Sequence, residues 1–228
     1  MLYEEWEPAY RAMLEEFGYG AAGDERARDV LAGLLTGERP LGLGDLELSG
    51  TVAVCGAAAS LEDELGVARE ADSVVAASTA ADVLRAAGVG VDCMVTDLDK
   101  NPGTVHELTA AGTPVAVHAH GDNVPALEAH VPRIDTSAML PTTQAEPRDP
   151  VVNPGGFTDG DRAAYLADAR GAEELMFAGW AFDDPTVGAE KARKLAWAER
   201  LLRWLERRRG EQFGVLDGRR DDVKLPWV

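Results

Sequence analysis

Hydrophobic positions along the chain change their period near residue 50. Over the first 36 residues they recur at helical spacing: Trp6, Tyr10, Met13, Leu14 and Phe17 share one side, and Val30, Leu31, Leu34 and Leu35 follow a Gly-Asp break. This predicts an N-terminal helical extension packed on a main domain, followed by a linker containing Gly37, Pro40, Gly42 and Gly44. From Thr51 short apolar runs alternate with helical segments. TVAVC, SVVAA, VDCMVT and PVAVHAH read as strands, with helices from about Leu61, Thr79, Thr104 and Val124 between and after them. A short strand is expected around 133–135, with MLPTTQ as a polar loop after it. ELMFAGWAF then reads as a further strand, and a long amphipathic helix starts near Gly188. The rhythm predicts an α/β fold, a Rossmann-like and mostly parallel sheet with helices on both faces. Residues 1–49 form the expected extension and linker, and 50–228 the expected catalytic domain.

In such sheets ligands collect where the strands' carboxyl ends meet the following loops, so each strand end is a candidate. After TVAVC comes GAAAS, whose backbone amides between Gly56 and Ser60 suit a phosphate; a tight turn explains it as well. Ser78-Thr79, after SVVAA, reads as a helix cap. VDCMVTDLDK ends in Asp97 and Asp99. Alternation along a strand puts positions two apart on one face, so both carboxylates can point at one cation. The alternative is a polar strand end before the Asn101-Pro102-Gly103 turn.

The fourth strand ends in HAHGDN. His118 and His120 share a face, Gly121 permits a sharp turn, and Asp122 and Asn123 stand at the mouth of a helix. No cysteine or further spaced histidine completes a zinc site, which favours an oxygen-rich magnesium site with the histidines in supporting roles. Thr142, Thr143 and Gln144 suit the edge of a purine or pterin, although a plain loop explains them nearly as well. In NPGGFTDGDRA, Gly155 and Gly156 free the backbone before Phe157. Thr158 or Asp159 can cap the next helix, and Asp161 and Arg162 fall in its first turn.

The 228 residues carry 40 Asp and Glu against 22 Lys and Arg, a net charge of −18 that disfavours nucleic acid as a ligand. Only four of the basic residues are lysine, and the acids are spread along the chain, as in proteins adapted to high salt. Lys191 and Lys194 occupy the first turns of the last helix, where cations oppose its dipole; a polyphosphate contact and a solvated face both account for them. Cys55 and Cys93 fall within strands, and no apolar run approaches a membrane span, so the expectation is a cytoplasmic protein. The tail ending KLPWV is expected to dock on the domain or on a second subunit of a homodimer.

Taken together, VTDLD, HAHGDN, TTQ and NPGGFTDGDRA resemble the archaeal 6-hydroxymethyl-7,8-dihydropterin diphosphokinase family, whose catalytic domain is similar to that of thiamine pyrophosphokinases. The resemblance runs from about Thr51 to Leu205. It implies transfer of diphosphate from ATP to the dihydropterin hydroxymethyl group, releasing AMP, with magnesium. It further implies metal carboxylates at Asp97 and Asp99 with Asp122 as a third, and nucleotide and pterin pockets lined by 155–162 and 142–144. His118 or His120 would take the hydroxyl proton. The chain departs from the family pattern at Ala58 in the first turn and at Ser78-Thr79 in the second. Two other readings are a haloacid-dehalogenase-type phosphohydrolase, suggested by VTDLD, and a non-catalytic nucleotide-binding protein.

Overall fold

Six apolar segments form one parallel sheet in the computed structural model, which describes residues 1–228. The strands are β1 (Thr51–Cys55), β2 (Ser73–Ala77), β3 (Cys93–Thr96), β4 (Val115–Ala119), β5 (Met139–Thr143) and β6 (Glu174–Ala178), in the order β5-β4-β3-β2-β1-β6. Their near-continuous hydrophobicity follows from burial on both faces. Val52, Val54, Val75, Cys93, Val95, Ala116 and Leu140 belong to one core layer, while Ala53, Cys55, Val74, Ala76, Met94, Val115 and Val117 belong to the other. The period-two alternation thus sorts each strand between two helical layers.

The first layer contains α1 (Tyr3–Phe17), α7 (Asp159–Ala169) and α8 (Ala189–Arg209). The second contains α2 (Ala21–Leu34), α3 (Leu65–Glu70), α4 (Ala80–Ala86), α5 (Pro102–Ala110) and α6 (Val124–His130). The two N-terminal helices therefore lie on opposite faces of the sheet. Trp6, Tyr10 and Met13 are buried in the same layer as Tyr165 and Trp204, and the Trp6 indole donates to the Gln144 carbonyl at 2.8 Å.

Two expectations about strands need correction. Residues 133–135 form no strand; a 3₁₀ turn spans Val131–Arg133, and MLPTT is itself β5 rather than a loop. Pro141 is the misleading residue. It has no N–H to donate, and β5 tolerates it because it is the edge strand. At the other edge β6 stops at Ala178, four residues short of the apolar run, because Gly179 turns the chain with φ 72°. A Cβ there would lie 2.3 Å from the Gly56 carbonyl oxygen, so β1 and β6 end in a backbone contact only glycine allows.

The C-terminal tail docks on its own domain. Leu225 and Trp227 pack against the first layer, with Trp227 stacked on Trp197 at a ring separation of 5.2 Å. No helix is long and apolar enough to cross a membrane.

Candidate active site

The two carboxylates of the DLD segment converge, though not by strand alternation. β3 ends at Thr96, and Leu98 takes a left-handed conformation, φ 68°, unusual for a branched residue. Its side chain is buried and its N–H donates to Thr96 Oγ1 at 3.0 Å; the Asp99 N–H donates back to Asp97 Oδ1 at 3.2 Å. This turn, anchored by one buried leucine, presents Asp97 and Asp99 on the same side. Burial pushes Asp99 upward and the Asp97 charge adds to it. Burial also opposes ionisation of Asp97, but contacts with His120 and Asp99 and the charge of Arg162 outweigh it and hold that carboxyl well below its usual range. Such a pair is stabilised by a cation between its members.

HAHGDN divides into a structural part and a facing part. His118 is buried with Nδ1 3.1 Å from Thr142 Oγ1, and burial drives its pKa well below the ordinary value, with the Arg162 charge adding to the effect. It sits beneath the cleft and does not line it. His120 faces the cleft with Nε2 3.4 Å from Asp97 Oδ2. Asn123 is a staple: its side chain accepts from the His120 N–H and donates to the carbonyls of Asp97 and His118, binding the ends of β3 and β4 together. Asp122 lines the same cleft.

NPGGFTDGDR builds the opposite wall. Gly156, at φ 96°, brings the backbone so close to α7 that a Cβ would meet Arg162 Cα at 2.5 Å. Asp161 is fully buried and accepts from the N–H groups of Phe157 and Thr158, so it caps α7 instead of facing a ligand. Arg162 and Asp159 pair at 3.1 Å. Burial and the charge of Asp97 push the Asp159 carboxyl up to about 7, and burial pushes Asp161 up to about 6. Thr142 and Thr143 donate to the β4 carbonyls of Val117 and Ala119 and lie below the surface, whereas Gln144 reaches the cleft.

These walls enclose a polar cleft of about 460 Å³ containing Asp97, Asp99, Asp159 and, facing them, Lys100, Arg162, Lys191 and Lys194. Three of the four lysines in the chain therefore gather here. Burial, then the neighbouring charge of Lys100, lowers the Lys191 pKa, as expected where cations crowd without their anion. A smaller, more apolar pocket of about 140 Å³ adjoins the cleft and shares Lys100, Thr158, Asp159 and Lys191 with it; Trp180 and Leu195 line its far side.

One predicted grouping does not form, and a second forms only in part. No three His, Cys, Asp or Glu side chains come together as a metal cage, so Asp122 does not complete a triad with Asp97 and Asp99. The pair still fits magnesium, which commonly takes only one or two protein carboxylates and completes its shell with water and phosphate oxygens. Of the amides expected to cradle phosphate, those of Gly56 and Ala58 are spent elsewhere, donating to the Ala178 and Gly179 carbonyls. Gly56 borders the apolar pocket, and the Ser60 hydroxyl is buried without a partner.

One functional wall was not anticipated. Asp24, on α2, is 5% exposed and lines the cleft. In sequence it shows only in a Gly-Asp pair that reads as a helix break, whereas Gly23 and Asp24 lie inside α2 and the break falls at 18–20. A Cβ on Gly23 would lie 3.4 Å from Gly121 Cα, so this glycine lets α2 approach the HAHGDN turn closely.

Comparison with known proteins agrees with this geometry. A family model described as 6-hydroxymethylpterin diphosphokinase MptE-like matches residues 42–186, which include the DLD turn, HAHGDN and the α7 cap. A Pyrococcus furiosus protein named 6-hydroxymethyl-7,8-dihydropterin pyrophosphokinase is 36% identical over 226 residues, covering 90% of this chain and 95% of its own. A Methanothermobacter thermautotrophicus protein of the same name is also 36% identical, over 220 residues, covering 89% and 94%. The one from Methanocaldococcus jannaschii is 27% identical over 229 residues, covering 89% and 95%. With the carboxylate pair and Arg162 inside the matched residues, and relatives at 36% identity along about nine-tenths of its length, the chain belongs to the MptE-like 6-hydroxymethylpterin diphosphokinase family.

Proposed function

We propose that this enzyme transfers the β,γ-diphosphate of ATP to the hydroxymethyl group of 6-hydroxymethyl-7,8-dihydropterin, giving the pterin diphosphate and AMP. The observation that carries this reading is the opposition of Asp97 and Asp99 to Lys100, Arg162, Lys191 and Lys194 across a cleft that opens into an apolar pocket. The polar cleft takes the triphosphate. The apolar pocket beside Trp180 takes the planar pterin, so that its hydroxymethyl arm lies at the junction of the two cavities.

In the transfer, the pterin oxygen bonds to the β-phosphorus as the bond from that phosphorus to the α,β-bridging oxygen breaks, and AMP leaves with the bridging oxygen. The protein's work is alignment and charge compensation. Asp97 and Asp99 hold magnesium, which supplies neutralisation of the polyphosphate when bound. Lys191, Lys194 and Arg162 bind phosphate oxygens. His120, facing the cleft beside Asp97, accepts the hydroxyl proton.

Incubation with ATP, magnesium and the dihydropterin should yield AMP and the pterin diphosphate in equal amounts. Release of inorganic phosphate without AMP would refute the reading. Trp180→Ala should raise KM for the pterin and leave that for ATP unchanged; the reverse pattern would exchange the two pockets' occupants.

A further inference from the structure

We propose that Asp24 is a positioning residue that sets the phosphate-binding geometry of Arg162 through Gln144, so that the N-terminal helices are part of the catalytic apparatus. The inference rests on the reading that Arg162 binds the ATP phosphates. Asp24 Oδ1 accepts from the Gly121 N–H at 2.7 Å, fixing the turn that carries His120 and Asp122. Its Oδ2 accepts from the Tyr10 hydroxyl and from Gln144 Nε2, each at 2.8 Å. The other end of that amide, Gln144 Oε1, accepts from Arg162 Nη2 at 3.3 Å, and Arg162 Nη1 pairs with Asp159. One carboxylate thus ties two walls of the cleft to α1 and orients a guanidinium that is only 7% exposed.

The donor pattern along this chain admits one arrangement. Asp24 offers only acceptors, so Gln144 must turn its NH₂ toward it and its oxygen toward Arg162, which offers only donors. An amide at position 24 presents an NH₂ in place of Oδ2. Gln144 would then flip to meet it and aim its own NH₂ at Arg162, removing the acceptor that holds the guanidinium.

The test is a charge relocation. Asp24→Asn alone should raise KM for ATP about tenfold, with a smaller change in kcat. Gln144→Glu alone opposes two carboxylates and should also impair ATP binding. The double variant Asp24→Asn with Gln144→Glu re-satisfies every link: the amide now at position 24 donates to the Tyr10 oxygen and to the carboxylate now at position 144, and that carboxylate accepts from Arg162. It should return KM to within about threefold of wild type. Tyr10→Phe, which removes one anchor from Asp24 and touches no substrate, should raise the same KM by about twofold to fivefold. An unchanged KM in Asp24→Asn would overturn the proposal, as would a folded double variant no better than the weaker single one. Calorimetric titration with magnesium and ATP in the absence of pterin reads the same series. Wild-type protein that binds ATP but forms no AMP would defeat the proposed reaction, while the order of affinities would still decide the role of Asp24.

Discussion

The rim and the floor of the cleft are both rich in carboxylates, and they differ in what those carboxylates hold and in how far they are exposed. On the floor, Asp161 is fully buried and accepts two backbone N–H bonds, and Asp24 accepts three hydrogen bonds from three separate segments. On the rim, Asp97 accepts the Asp99 N–H and faces His120, while Asp99 has the Lys100 ammonium at 3.7 Å; the two side chains are 20% and 48% exposed. Buried carboxylates that accept backbone N–H bonds hold segments in place; carboxylates left facing an open cleft attract a cation. Residue type does not separate the two roles, and neither does the count of donors, since Asp97 and Asp161 each accept two; burial does.

The sharpest break of this comparison is Asp97→Asn. It should lower the rate of AMP formation by about a thousandfold or more while the melting temperature moves by only a few degrees, because the near-isosteric amide keeps the acceptor for the Asp99 N–H. Asp161→Ala is its counterpart on the floor. It leaves the Phe157 and Thr158 N–H groups unpaired, a cost of about 1–3 kcal/mol that should lower the melting temperature by roughly 2–10 °C, with a much smaller loss of activity than Asp97→Asn. If Asp161→Ala proved thermally silent and catalytically dead, the two regions would have to exchange roles.

On the cationic side, Lys191→Ala should raise KM for ATP about tenfold with little effect on KM for the pterin, measured by initial rates. The smallest expected effect concerns pH. Asp159 is raised from an unfolded value near 3.8 to about 7, so the folded state binds its proton more tightly. Its contribution to stability is fully present below about pH 4 and is lost as pH rises toward 7. The Asp97 contribution runs the other way: its pKa is lowered, so the stability it adds at neutral pH is lost below about pH 4. Thermal melts of wild type and Asp159→Asn between pH 4.5 and 7.5, with metal removed, should therefore differ by an amount that changes with pH. Parallel curves would show that Asp159 stays ionised throughout.

Much of this was legible in the chain. The strand rhythm, the two helical layers and the gathering of DLD, HAHGDN and GGFTDGDR at one edge follow from periodicity and from the carboxyl-end rule for parallel sheets. What misled was local. Pro141 and the hydroxyls around it read as a loop because a proline inside a strand is compatible only with an edge, and edge position is a property of the whole sheet. GAAAS read as a phosphate turn because its amides are nominally free after a strand; the end of β6 and Gly179, more than a hundred residues later, take two of them, those of Gly56 and Ala58. His118 and His120 share a face as expected, with ring centres 6.2 Å apart, yet one is buried beneath the cleft and the other lines it.

By itself the sequence determined the elements, the order in which they alternate, and which residue types arrive at the strand ends, because side-chain period and turn chemistry are local properties of a few neighbouring residues. Only the tertiary structure decided which carboxylates would be buried as anchors and which would be left facing the cleft. That outcome depends on donors supplied from remote segments, such as Tyr10, Gly121 and Gln144 converging on Asp24, and burial acts on a group only once those segments have closed around it.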